Sequence, residues 1–381
     1  MSPHRPSPPA NDEDVLVASW ASDVQAEALD CEETLRRTDL MLDRVCVELE
    51  RQWRERCPEP ADVLRRDLPE HLRGWLLPAT GKRLRPVMCH WGWVSAGGAA
   101  RGVGRDDTVT VCAALELVHL FALVHDDVMD RSDSRRGRPT THVEAAEEHA
   151  AADALGDPML FGDSIAILFG DLALTESWVL TGGLDAVLRR AWADMLRELV
   201  QGQLLDVTGA AARRRDLAQA RRVARLKSGA YTVQRPLLLG ALAARAGADT
   251  LTALETFGGH LGEAFALRDD VLGVWGDPAR TGKPVGDDLL RGKATVLLAE
   301  ARRLLPEEIG ERYLGHRAVI TDADVGTLQQ LMLDAGVLEQ AEQRITREVD
   351  LALTALEHAD VDPSGADALR SLARSIAWRD A

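Results

Sequence analysis

Apolar residues recur at three- and four-residue steps along most of the chain, as at Val111, Leu115, Val118 and Ala122, the spacing that lines one face of an α-helix. Runs of alternating β-branched residues and Asn-Gly hairpin signals are missing. The pattern predicts an all-α fold of roughly ten or more helices, by ordinary helix lengths. Breaks are expected at Cys57-Pro58, Gly97-Gly98, the 131–139 stretch RSDSRRGRP, Gly182-Gly183, the segment from Gly276 through Gly286, and Pro306. Residues 1–12 are rich in proline and polar groups and lack periodicity, which predicts a flexible tail ahead of a single all-helical domain over 13–381.

Composition narrows the function classes. Of the 381 residues 46% are apolar, and no run of about 18 uncharged apolar residues occurs, so a soluble globular protein is expected rather than a membrane-spanning one. The start, MSPHRPSPPANDED, has no apolar signal core, and the five cysteines show neither CxxC spacing nor an even count; a cytoplasmic protein with reduced thiols is expected. The formal charge of −16 argues against nucleic acid as a partner, because phosphate backbones are bound by basic surfaces. Any anionic ligand must be held by local clusters or metals.

Of the 45 basic residues only four are lysines, at Lys82, Lys227, Lys283 and Lys293. Codon bias explains their scarcity but not their positions in GKRLRP, LKSGAY, RTGKP and RGKAT, three of them directly after a glycine. Compact point charges on exposed backbone suit phosphate.

An internal echo adds acidic groups. Phe121 to Val128 (FALVHDDV) and Phe265 to Val271 (FALRDDV) each run from an apolar helical stretch into paired aspartates. Carboxylates near a helix C-terminus oppose the macrodipole unless a cation sits among them. In HDDVMD, Asp126 and Asp130 are four residues apart on one helix face. A divalent cation reverses their repulsion, and Mg²⁺ prefers one or two carboxylates together with water and substrate phosphate oxygens. The adjacent Arg135 and Arg136 then supply forks for the same anion.

ELVHLFALVHDDVMDRSDSRRG resembles the first aspartate-rich motif of the all-trans isoprenyl diphosphate synthases, and FALRDDVLGVWGDPARTGKPVGDD resembles the second in the short-chain members. GKRLRP is similar to that family's isopentenyl diphosphate-binding motif, and GQLLD and KSGAY match two further elements. All five stand in family order between 81 and 295.

The resemblance implies the isoprenoid synthase fold, helices around a deep apolar cavity with the two aspartate-rich segments facing each other at its mouth. It implies Mg²⁺, three ions per site with Mn²⁺ as a substitute, two of them on Asp126 and Asp130 and one on Asp269, with Asp127 and Asp270 acting mainly through water. Arg135, Lys227 and Lys283 would hold an allylic diphosphate, with Lys293 nearby; Lys82, Arg85, Arg136 and His119 would hold isopentenyl diphosphate. Ser228 stands where the family usually has threonine, and Gln203 and Asp206 would line the reaction centre. A homodimer is implied as well.

Two positions depart from the family pattern. Gly273 stands where the last aspartate of the second motif commonly sits, which implies weaker hold on the third ion, and Ala266 replaces a common glutamine. The apolar tail is expected to grow down the helix carrying Asp126. Phe121 lies about 7.5 Å below Asp126 at helical rise, with Ala122 beside it and Val118 continuing the wall. That combination resembles geranylgeranyl diphosphate synthases (C20), with farnesyl (C15) as the alternative. A class I terpene cyclase needs no second diphosphate site, so GKRLRP and Arg136 speak against it. A non-catalytic partner subunit of a synthase is the reading left open by Gly273 and Ala266.

Overall fold

The computed structural model describes residues 25–56, 67–77, 81–135, 137–212, 216–277, 286–290, 292–315, 318–357 and 359–379. The expected 1–12 tail, the Cys57-Pro58 break, Arg136 and Lys283 lie outside these residues. In chain order the helices are α1 (Gln25–Arg56), α2 (Leu68–Leu76), α3 (Leu84–Ser95), α4 (Gly98–Arg101), α5 (Arg105–Asp130), α6 (Thr141–Ala151), α7 (Pro158–Thr181), α8 (Ala186–Ala211) and α9 (Leu217–Val223). A π-helical segment (Ala224–Gln234) leads into α10 (Arg235–Ala243), followed by α11 (Ala248–Trp275), α12 (Asp287–Leu290), α13 (Val296–Leu304), α14 (Glu307–Leu314), α15 (Asp322–Asp334), α16 (Val337–Ala355) and α17 (Pro363–Ala377). The fold is all-α, as the periodicity requires.

Helix starts follow side-chain chemistry. Asp157 accepts hydrogen bonds from the Met159 and Leu160 N–H groups ahead of α7, with Pro158 in the first turn. Asp185 and Asp216 cap α8 and α9 in the same way. The expected breaks at Gly97, Gly182, Gly276 and Pro306 each coincide with a helix boundary. The 131–139 stretch is more ordered than a loop: β1 (Ser134–Arg135) pairs antiparallel with β2 (Arg138–Pro139), turning at Gly137 with φ 71°. Such a backbone suits glycine.

α5 is the central helix. Val111 to Leu115, Leu117 and Val118 are fully buried, and burying a Val or Leu side chain contributes about 1.5–3 kcal/mol. One side of α5 faces α1, α2 and α7 through Leu117, Leu120 and Val124; the other faces α8 and α10 through Val111, Leu115 and Val118. By length and composition α5 and α7 could each cross a bilayer. α5, however, is mostly core, whereas α7 turns Leu160, Leu168 and Val179 outward.

The π-helical segment is wedged between α8 and α11. A Cβ at Gly202 would lie 2.5 Å from the Lys227 nitrogen, and one at Gly229 would lie 2.5 Å from the Gly262 carbonyl oxygen. Glycine is needed at these crossings because backbone meets backbone. π-Helical turns recur at functional sites, and this one carries Lys227 and Ser228.

Candidate active site

The C-terminal turn of α5 ends in Asp126, Asp127 and Asp130, closed by Arg131 in the left-handed conformation with φ 53°. The last turn holds no basic residue of its own, so its charge is answered from elsewhere. Lys227 Nζ donates to Asp126 Oδ1 at 2.8 Å and to Asp206 Oδ2 at 2.6 Å. Gln203 Nε2 also donates to Asp126 Oδ1, at 3.0 Å. Lys293 Nζ lies 2.7 Å from Asp130 Oδ2. Four expected site residues, Gln203, Asp206, Lys227 and Lys293, thus converge on Asp126 and Asp130 at one acidic helix end.

Electrostatics follow from that geometry. Burial pushes the Asp126 carboxyl up, and the ammoniums of Lys227 and Lys293 outweigh it, leaving the group at about 2. Burial pulls Lys227 and Lys293 down, and the surrounding carboxylates more than reverse this, so both are held above the usual lysine value. The site is therefore a lattice of fixed opposite charges at neutral pH.

The paired aspartates divide their roles. Asp127 is buried and receives Arg135 in a fork, Nη2 to Oδ1 at 2.7 Å and Nε to Oδ2 at 3.0 Å, while Arg135 Nη2 is 4.0 Å from Asp126 Oδ2. Asp270 accepts from the Val296 N–H at 3.1 Å, at the start of α13. Burial, with Asp288 and Asp269 nearby, pushes the Asp270 carboxyl well above its usual range. Asp127 and Asp270 each make a direct protein contact that anchors the segment following its motif. Asp126 and Asp130 remain part-exposed.

Asp269 is half-exposed and ion-paired with Arg379, whose guanidinium also lies 4.3 Å from the centre of the Phe265 ring. The neighbouring Arg268 donates to the Ala377 carbonyl at 2.6 Å and forks onto Glu342. Ala377 and Arg379 are thereby docked on the second motif, partners that lie too far along the chain for any spacing argument to reveal. Asp269 and Asp270 also sit more than a turn before the end of α11 at Trp275, rather than at its tip.

Gly273 has a structural counterpart. A Cβ there would come 2.1 Å from Asp288 Oδ2, so the Asp288 carboxylate occupies the room that glycine leaves. Asp288 Oδ1 is in turn 4.0 Å from Lys293 Nζ. Asp288 belongs to the quoted second motif, and its role was missed because nothing in the spacing distinguishes it from Asp287. Ala266 is buried on α11.

The GKRLRP segment packs between α5 and the π-helical segment. Arg83 Nη1 is 3.1 Å from Glu116, one turn from the half-buried His119 on α5. Arg85 donates to Thr232 Oγ1 at 2.9 Å and stacks 4.2 Å above Tyr231, leaving its buried Nε without a partner. Lys82 and Ser228 are part-buried. Phe121 packs edge-on to His125, ring centres 4.7 Å apart, beside Ala122 and Val118.

Among the described residues no three or more His, Cys, Asp or Glu side chains form a cage able to hold an ion alone. Mg²⁺ asks for less, one or two carboxylates plus water and phosphate. The hard oxygen donors Asp126 and Asp130, part-exposed on one helix face, fit that demand.

The pattern of the polyprenyl synthetase family matches residues 72–327. A geranylgeranyl diphosphate synthase of Mycobacterium tuberculosis is 36% identical over 293 residues, 75% of this chain and 77% of the relative. A geranylfarnesyl diphosphate synthase of Aeropyrum pernix is 33% identical over 285 residues, 72% of this chain and 84% of the relative. A crystal structure of geranylgeranyl pyrophosphate synthase from Corynebacterium glutamicum, complexed with isoprenyl diphosphate and magnesium, superposes with a TM-score of 0.81 at 35% identity, covering 92% of this chain and 98% of that one.

Proposed function

Because the chain belongs to the polyprenyl synthetase family and is a prenyltransferase, we propose that it condenses isopentenyl diphosphate with an allylic diphosphate, releases diphosphate, and stops at geranylgeranyl diphosphate (C20). The observation that carries the reading is the meeting of Lys227 and Lys293 on Asp126 and Asp130. Opposite charges paired at one helix end suit a diphosphate that brings its own cations: Asp126 and Asp130 would hold the cations, and Lys227 and Lys293 would be left to the phosphate oxygens.

Asp126 and Asp130 are the residues that would hold two Mg²⁺ ions, and Asp269, once released by Arg379, a third; Mn²⁺ would substitute. Bound there, the ions would supply positive charge on the diphosphate oxygens. Lys227, Lys293, Arg135 and Lys283 bind the allylic diphosphate and oppose the negative charge that grows as its C–O bond breaks. Lys82, Arg85, Arg136 and His119 orient isopentenyl diphosphate so that its double bond attacks the allylic carbon. A C–C bond forms and the proton lost from isopentenyl diphosphate goes to the departing diphosphate. Gln203 and Asp206 fix Asp126 and Lys227, Ser228 offers a hydroxyl beside them, and the apolar side chains below exclude water from the cation.

The exposed Leu160, Val179, Val187, Val200 and Leu204 of α7 and α8 support a homodimer, because aliphatic side chains outside a core favour burial against a second copy. The four described cysteines are free and buried, in keeping with a cytoplasmic protein. The reading of 13–381 as one domain is supported by site ion pairs that draw on residues from Asp126 to Arg379.

Purified protein incubated with labelled isopentenyl diphosphate, Mg²⁺ and dimethylallyl, geranyl or farnesyl diphosphate tests the proposal. Linear C20 product is expected. Absence of incorporation would favour a non-catalytic partner subunit, and cyclised hydrocarbon a terpene cyclase.

A further inference from the structure

We infer that Thr232, buried on the π-helical segment, is the positioning residue that aims Arg85 at isopentenyl diphosphate; this rests on the function proposed above and deepens it. Thr232 is the first residue beyond the KSGAY stretch, so no motif draws attention to it. Its Oγ1 accepts from Arg85 Nη2 at 2.9 Å, while the Arg85 guanidinium lies 4.2 Å from the centre of the Tyr231 ring. Thr232 and Tyr231 are both buried.

The kind of partner matters here. Arg83, two residues before Arg85, is answered by two carboxylates, Asp39 of α1 and Glu116 of α5, so its charge is met within the protein. Arg85 rests instead on a hydroxyl and an aromatic face. Both orient a planar guanidinium, and neither cancels its charge. Its Nε is buried without a partner among the described residues, and an unmet buried donor is unfavourable unless a ligand completes it. Arg85 is therefore fixed in direction while its charge is kept for an anion.

The π-helical geometry places that support. Lys227, on the same segment, donates to Asp126 on the side of the site given to the allylic diphosphate. In an α-helix the residue five positions on would lie about 140° around the axis from Lys227. The i→i+5 bonding of a π-helix returns it to nearly the same face, so Thr232 stands one turn beyond Lys227. Close backbone approaches at Gly202 and between Gly229 and Gly262 pin the segment between α8 and α11. One turn thus serves each half of the site: Lys227 for the allylic diphosphate and Thr232, through Arg85, for isopentenyl diphosphate.

Wild type, T232V, T232A, T232S, R85Q and the T232V/R85Q double variant are assayed with labelled isopentenyl diphosphate, Mg²⁺ and farnesyl diphosphate, each substrate varied in turn. Their urea midpoints are measured alongside. T232V and T232A lack the hydroxyl, and both are expected to raise the KM for isopentenyl diphosphate about tenfold, as loss of a hydrogen bond to a charged group does. The KM for farnesyl diphosphate should stay within twofold of wild type. T232S restores the hydroxyl and is expected to hold the KM for isopentenyl diphosphate within threefold, even though it loses a buried methyl that T232V keeps and its midpoint falls. R85Q should raise the same KM, and adding T232V to it should change that value less than twofold. The inference alone is overturned if R85Q raises this KM while T232V and T232A do not, or if T232V raises both KM values together. It is equally overturned if T232S behaves like T232V, or if T232V multiplies the R85Q effect in full. An unchanged KM in R85Q overturns the role given to Arg85 and the inference with it. No labelled product from wild type with any primer overturns the proposed function as well.

Discussion

Lys293 and Asp130 face each other at 2.7 Å, which ties the segment after the second acidic motif to the first motif itself. Lys293 is also 4.0 Å from Asp288, whose carboxylate lies against Gly273 of α11. One ammonium thus links the two acidic regions before any ligand arrives. Lys293→Met removes that link and one cation from the diphosphate, and is expected to lower kcat by about 100-fold, as loss of one electrostatic stabiliser typically does. Steady-state kinetics with farnesyl diphosphate checks this; a kcat within threefold of wild type would contradict it.

Lys82→Ala separates the two substrates. The KM for isopentenyl diphosphate should rise about tenfold or more, the effect of losing a charge-assisted contact of ~1.5–3 kcal/mol, while the KM for the allylic primer stays near its wild-type value. Equal losses for both would place Lys82 elsewhere.

Gly273→Ala is expected to destabilise the protein by about 1 kcal/mol, because the new Cβ would meet the Asp288 carboxylate. In Asp288→Ser the same glycine substitution should cost less, since the obstructing carboxylate is gone. Urea unfolding of the four proteins gives the coupling directly; additive effects would mean that Gly273 and Asp288 do not share this space.

His90 supplies a pH dependence away from the site. It is fully buried, bonded to Thr34 Oγ1 at 3.0 Å, and burial pulls its imidazole down to about 3. Its folded pKa thus lies below the unfolded value of about 6.5. Between those values the unfolded chain holds a proton that the folded one lacks, so stability is lost as pH falls through the window. From pH 6.5 to 5 the wild type should lose about 1.5 kcal/mol more than His90→Gln. Parallel pH profiles in urea unfolding would remove His90 as the cause.

Helical periodicity and the order of the charged motifs made the all-α fold and most of the acidic helix end legible before any coordinates, because Lys227 and Lys293 are two of only four lysines and Asp126 and Asp130 stand four residues apart on one helix. What stayed hidden depends on packing. The π-helical turn over Ala224–Gln234 reads as ordinary helix in sequence, and only the backbone approaches at Gly202 and Gly262 reveal why Lys227 points where it does. Asp127 and Asp270 look equivalent to Asp126 and Asp269, yet Arg135 and the start of α13 claim them. The partnership of Asp269 with Arg379 joins residues that no local pattern connects.

The most direct test of the shared site is a crystal structure with Mg²⁺ and a non-reactive allylic thiolodiphosphate. The account predicts Asp126, Asp130 and Asp269 all ligating ions on one diphosphate, with Lys227 and Lys293 turned from their carboxylates to its oxygens and Arg379 released from Asp269. A diphosphate held without Asp269, which stays paired to Arg379 in the fully liganded enzyme, would contradict it.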